Sequence, residues 1–339
     1  MKKKLNVVFY VFSFAAFLSV TFYFSTIRTD IKLIRQVNVF WLTSSVITQL
    51  LTYLFSALIY YRLLKIFQSS MQLTVWQLYQ ASIIALFANQ VAPLAGISGN
   101  IFFYNYLKHK NIAVQNIFTV VIVELITFYV AIELIIVAVL AVYFFFIKTA
   151  LLFPIILIAG FFAYLLFAYG IVLLGKKQTI IALSLKLAKI KWLGKYAEKL
   201  RTFVSENKNN LQNSMPFIRH HKRETANLTL LHIGTFLCDG YTIYSLFHGL
   251  GVSISFISVF IALILTKIIS LLPVSPGALI LYESSLTFFL TKLGAPFGTS
   301  VVVTLLFRLL SFWIPIPTGF LLTGELQLQR HTKKKIDDK

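Results

Sequence analysis

Apolar stretches recur along this chain, separated by short polar segments rich in Lys and Arg. A helix needs about 20 apolar residues to cross a ~30 Å hydrocarbon layer. Residues 5–24, 37–60, 113–147, 150–174, 225–247 and 297–323 therefore each predict one spanning helix. Two further apolar regions, 73–107 and 256–290, are interrupted near their middles by VAPLAGISGN and LPVSPGALILYE. Proline removes a backbone donor and keeps the preceding residue out of the helical region, so these regions predict broken or re-entrant helical hairpins. Short alternating strands are absent, which argues against a barrel. The expected fold is an all-α polytopic membrane protein, an inverted-repeat helical bundle of about six spanning helices plus two hairpins in one membrane domain, 1–339.

Composition agrees with that class. Of 339 residues 58% are hydrophobic and only 12% charged, and the mean hydropathy is +0.82. The net charge of +20 lies mostly in short segments outside the apolar stretches. That distribution favours an anionic lipid surface over nucleic acid as the partner. A single cysteine, Cys238, excludes an internal disulfide framework. The opening MKKK followed by apolar residues has the layout of a signal peptide, but VTFYFSTI at 20–27 offers no small-residue cleavage site, so an uncleaved first helix is expected.

The one long polar segment, 175–224, carries twelve Lys or Arg against two Glu before Glu224. Leu183, Leu187, Ile190, Ala197, Leu200 and Val204 recur there at helical spacing, with Lys186, Lys189, Lys195 and Lys199 largely off the stripe. The pattern fits a basic amphipathic helix lying on the cytoplasmic leaflet; a solvated connector that only fixes topology is the plainer alternative.

The two interrupted regions superpose with a shift of 183 positions, placing Pro93 on Pro276, Asn100 on Glu283, Leu107 on Leu290 and Asn111 on Gly294. One further residue of shift sets Glu124 on Arg308, Thr127 on Ser311 and Phe128-Tyr129 on Phe312-Trp313. Two repeat halves are expected, 37–147 and 225–323. The positive-inside rule puts the N-terminus, Arg62 with Lys65, Lys108 with Lys110, 175–224 and the tail 325–339 in the cytoplasm of a prokaryote with a cytoplasmic (inner) membrane. All can lie there only if each hairpin enters and leaves on one side, 73–107 from the cytoplasm and 256–290 from outside. Arg28, Lys32, Arg35 and Lys292 run against this arrangement.

Discontinuous helices in inverted repeats are how many secondary transporters build a midplane site. Half-helices beginning after Pro93 and Pro276 would point unsatisfied N–H groups inward and favour an anion. Gly96, Gly99 and Gly277 would let a ligand or second backbone approach, and Asn89 and Asn100 flank the first break. Ionisable residues within apolar segments are few and costly: Glu124, Glu133, Asp239, Lys267, Glu283 and Arg308. Glu124 and Arg308, at matching positions, are expected either to form a structural ion pair or to meet a ligand. His232 reads as a hydrogen-bonded helix residue, since no second His or carboxylate stands at metal spacing. No cofactor is expected. GxxxxGK[ST], HExxH, GxSxG and paired cysteines are all missing, AGISGN has no preceding strand, and Asn-Leu-Thr at 227–229 falls at a cytoplasmic helix start.

PVSPGALILYESSLTFFLTKLGAP and FRLLSFWIPIPTG resemble the C-terminal signature of the lysylphosphatidylglycerol synthase transmembrane region family, also called flippase-like domain proteins. The matching residues are Pro276, Gly277, Glu283, Gly294, Arg308 and Gly319, and NQVAPLAGISGN is similar to the family's first motif through Asn89, Pro93, Gly96 and Gly99. The likeness covers roughly residues 5–325. One departure is Glu124-Leu125, where relatives often have an acidic residue followed by Arg.

The resemblance implies translocation or handling of a phospholipid or polyprenyl-linked lipid. Lys267 and Arg308 would neutralise its phosphate, while Glu283 and Glu124 hold those cations or bind a cationic headgroup. A chain ending some fifteen residues after its last helix is expected to lack the synthase catalytic domain, and so not to be an enzyme. Two alternatives remain: a non-transporting partner of a separate lipid- or glycan-modifying enzyme, and an intramembrane enzyme using Glu283 or Asp239 as a base.

Overall fold

The computed structural model describes residues 37–67, 73–91, 97–110, 112–147, 151–174, 214–271 and 280–322. The expected first helix, the amphipathic stripe at 183–204, the tail, and Pro93, Gly96, Pro276 and Gly277 lie outside the described residues.

The described residues are helical, in the order α1 (Val39–Phe67), α2 (Val75–Val91), α3 (Ile97–His109), α4 (Val114–Val142), α5 (Leu152–Leu174), α6 (Ser214–His220), α7 (Lys222–Gly249), α8 (Phe256–Ile269), α9 (Leu281–Lys292) and α10 (Phe297–Arg308). A π turn (Tyr143–Ile147) closes α4, and another (Leu309–Trp313) carries α10 on as one apolar span, Phe297–Leu322. An order of long, short, short and long helix occurs twice, as α1–α4 and as α7–α10. The helices of the second set start 183, 181, 184 and 183 residues after their counterparts (222−39, 256−75, 281−97 and 297−114).

Four described helices are long and apolar enough to cross a membrane: Val39–Phe67, Thr119–Phe145, Leu152–Ile171 and Phe297–Leu322. The sequence expectation of a spanning helix at 225–247 meets a longer helix, α7, whose composition is too polar to qualify. The reason is its position. α7 packs against α1, α4, α8 and α10, so Thr229, His232, Asp239, Thr242 and Ser245 are buried in protein rather than exposed to lipid. By contrast α1 and α5 turn Ile47, Leu50, Ile155, Phe162 and Leu166 outward, as a hydrocarbon surround requires. Arg62 and Lys65, expected in a loop, lie in the closing turns of α1.

α1 and α7 run antiparallel. Asn38 N–H donates to the Gly249 carbonyl at 2.8 Å, the Ser245 hydroxyl to the Trp41 carbonyl at 3.0 Å, and a Cβ on Gly234 would lie 3.3 Å from the Phe55 ring. The end of α1 meets α6 through Phe67 and Phe217, 4.7 Å between centroids, and meets the start of α4 through Asn116, whose Nδ2 donates to the Phe67 carbonyl at 3.1 Å. Tyr106 Oη, 3.4 Å from the Gln77 carbonyl, holds the end of α3 beside the start of α2. Arg62, Lys65, Lys108, Lys110, Arg219, Lys222 and Arg223 therefore gather at one end of the bundle. The α2–α3 hairpin opens there.

The α8–α9 hairpin opens at the opposite end, where Phe256 packs on Tyr244 and Phe289 on Phe153 beside the closing π turn of α4. Lipid supplies no hydrophobic drive between helices, so close approach and van der Waals contact hold the bundle. Glycines mark two such approaches. A Cβ at Gly160 would come within 2.5 Å of Ile268, and one at Gly319 within 2.5 Å of Phe87.

Candidate functional site

Four of the costly intramembrane charges form two ion pairs. Asp239 sits midway along α7 and Lys267 near the end of α8, and Lys267 Nζ meets Asp239 Oδ2 at 2.9 Å. Glu283 lies in the first turn of α9 and Arg308 ends α10, and Arg308 Nε meets Glu283 Oε1 at 2.6 Å. The expected Glu124–Arg308 pair is not formed. α9 and α10 are antiparallel neighbours joined through the turn at Gly294, which sets Thr287 against Thr304 at 3.2 Å and Glu283 against Arg308 one turn deeper. Matching positions in two repeats are equivalent in their own units, which is not the same as facing each other.

The pairs differ in access. The Arg308 side chain is 8% exposed, with its guanidinium 4.6 Å from the Tyr282 ring centroid and 4.2 Å from that of Phe312. Two aromatic faces and a carboxylate thus satisfy a charge that hydrocarbon would reject. The Lys267 side chain is 26% exposed, covered on one side by the Phe236 ring at 5.1 Å. Tyr282 is buried between the pairs, within electrostatic reach of all four charged groups.

α1 supplies residues that sequence reasoning missed. Thr52 Oγ1 is 3.4 Å from Asp239 Oδ1, and Tyr53 Oη donates to the Leu310 carbonyl at 2.9 Å. Leu310 lies in the π turn directly after Arg308. The wider turn bonds Ile314 N–H to the Leu309 carbonyl and leaves the Leu310 carbonyl for Tyr53. Consecutive residues of α1 thus hold one pair each, Thr52 directly and Tyr53 through the backbone after Arg308. Tyr282 and Phe312 had weak sequence signals, one beside Glu283 and the other within the repeat alignment. Thr52 and Tyr53 had none.

The other expected site residues are dispersed. Asn89 and Asn100 occupy α2 and α3 on either side of the first break, and Gly99 is buried on α3. Glu124 lies on α4, with Oε2 buried and without a hydrogen-bond partner among the described residues. Both Glu133 oxygens are in the same condition, as are Glu283 Oε2 and His232 Nε2. No group of three or more His, Cys, Asp or Glu among the described residues could hold a metal ion.

Among known proteins, residues 6–319 match the family described as the lysylphosphatidylglycerol synthase TM region. No curated protein matches the chain.

Proposed function

The chain belongs to the lysylphosphatidylglycerol synthase TM region family, and from that membership and the buried charge cluster we propose that it handles or translocates a membrane lipid with an anionic headgroup, a phospholipid or a polyprenyl-linked lipid. The observation that carries this reading is the unequal access of the two pairs. Arg308 is sealed by Glu283, Tyr282 and Phe312 and acts as a brace, whereas Lys267 keeps about a quarter of its side chain accessible.

A headgroup phosphate displaces Asp239 from Lys267, and Thr52 remains beside the released carboxylate. The twofold element order and the hairpins that open at opposite ends support rocking of two inverted halves, which exposes the site to each leaflet in turn. The basic end faces the cytoplasm of a prokaryotic inner membrane, since Lys and Arg favour that side, and 175–224 rests on its anionic leaflet. In this reading the chain carries lipid and does no covalent chemistry.

The test uses proteoliposomes loaded with fluorescent phosphatidylglycerol or a labelled polyprenyl-phosphate sugar. Wild type should move at least one of them across the bilayer, and Lys267→Ala should slow that movement by about 10-fold or more, as loss of one charge-assisted contact predicts. Equal rates for wild type, Lys267→Ala and protein-free vesicles with both lipids would sink the proposal.

A further inference from the structure

Glu124 and His232 stand apart from the two ion pairs and have no part in headgroup binding as described. Glu124 lies ten residues from the start of the 29-residue α4 and eighteen from its end, within the span Thr119–Phe145. Its Oε2 is buried and unpartnered, and no Lys or Arg among the described residues pairs with it. His232 is 5% exposed, its ring packs edge-on to Phe128 at 5.6 Å and lies against the Glu124 backbone carbonyl, and its Nε2 is likewise buried without a partner. Two unsatisfied polar atoms therefore share the α4–α7 seam, where each would cost several kcal/mol if it stayed unmet.

The groups around this seam are known from every packed element. α1 presents the Tyr60 hydroxyl, α4 itself Tyr129, and α5 Tyr164, which stands 6.0 Å from Tyr129 between ring centroids. The basic side chains of α3 and α6, Lys108, His109, Arg219 and His220, are exposed at the basic end. A carboxyl, an imidazole and phenol hydroxyls do not make the cage of oxygens that a hard metal cation requires. They do suit a single proton, which a carboxyl binds at one oxygen and which converts an unpaired anion into a neutral donor.

We propose that Glu124, with His232 beside it, is a proton-binding site within the bundle: Glu124 takes up one proton from water as the carboxylate becomes a carboxylic acid, and releases it again. His232, Phe236 and Asp239 recur at i, i+4 and i+7, on one face of α7, so the proton site lies two turns, roughly 10 Å, from the Lys267–Asp239 pair. Phe236 joins the two, packing on Phe128 at 5.7 Å and on Lys267. The repeat sharpens the contrast, because Arg308 holds the position that matches Glu124 and is fully braced. The proton site stands on this geometry alone and does not depend on the lipid reading.

The experiment is infrared difference spectroscopy of the purified full-length chain in phosphatidylglycerol nanodiscs, titrated with pH in H2O and D2O. A protonated-carboxyl C=O band that grows as pH falls, shifts in D2O and vanishes in Glu124→Gln is expected. His232→Gln should keep the band and move its midpoint by about one pH unit, a tenfold change in proton affinity. A band that persists in Glu124→Gln, or the lack of any titrating band, overturns the proposal, and an unmoved midpoint in His232→Gln overturns the part assigned to His232. If Glu124→Gln fails to elute as a folded monodisperse species, Glu124→Asp takes its place, and an unchanged band frequency and midpoint there count against the site. No lipid movement enters this measurement, so its failure and that of the lipid reading are distinguishable.

Discussion

The Arg308–Glu283 and Lys267–Asp239 pairs contain the same kinds of charge in the same bundle, yet one is walled by aromatic rings and the other is partly open. The difference lies in what each can exchange. A cation between two ring faces has lost its water and cannot change partners without crossing an apolar barrier, so Arg308 and Glu283 work as a joint between α9 and α10. A lysine ammonium with part of its stem exposed can swap one anion for another at small cost. On the proposed reading, structural and ligand-facing roles are separated between the two pairs.

The strongest way to break this comparison is to remove Arg308. Arg308→Gln leaves Glu283 buried and uncompensated, and should cost about 3–5 kcal/mol in equilibrium unfolding from detergent micelles. The double variant Arg308→Gln/Glu283→Gln should recover about 1–3 kcal/mol of that loss, measured as a double-mutant cycle. A double variant no more stable than Arg308→Gln would mean that the pair is not a brace. Next comes Lys267→Gln, where the partial exposure of the Lys267 side chain limits the penalty on Asp239 to about 1–2 kcal/mol while lipid movement falls sharply. A stability loss equal to that of Arg308→Gln would erase the distinction between the pairs.

Smaller changes sharpen the comparison by touching each pair through α1. Tyr53→Phe deletes the hydrogen bond to the Leu310 carbonyl and should cost about 1 kcal/mol, read as a lower unfolding midpoint. Thr52→Val removes only a 3.4 Å contact to Asp239 and should cost less than about 0.5 kcal/mol, because that bond is long and Asp239 keeps Lys267.

Much of the fold was legible because its physics is local. Helix length against bilayer thickness marked α1, α4, α5 and α10, and proline interruptions marked the ends of α2 and the start of α9. The polar character of α7 was visible, but its central place was not, since burial in protein rather than lipid depends on neighbours far away in sequence. All four paired charges were legible as intramembrane outliers, and Glu283 was read as holding Arg308 or Lys267, but Asp239 was not read as the partner of Lys267. Residues 283 and 308 lie symmetrically about the turn at 294–296, as do 287 and 304, so hairpin symmetry was the available signal for Arg308. Asp239 and Lys267 lie in the same way about the turn at 250–255 that joins α7 to α8, so the same cue was available for the second pair. Thr52 and Tyr53 come from the other repeat unit and act through a hydroxyl contact and a backbone carbonyl, neither of which leaves a pattern in composition or spacing.

The central claim, that Lys267 meets the lipid headgroup while Arg308 braces the site, is tested most directly by native mass spectrometry of the chain released from phosphatidylglycerol nanodiscs. Wild type and Tyr53→Phe should both retain a bound phosphatidylglycerol, and Lys267→Gln should lose it while remaining folded. Equal lipid retention by wild type and folded Lys267→Gln would contradict the account.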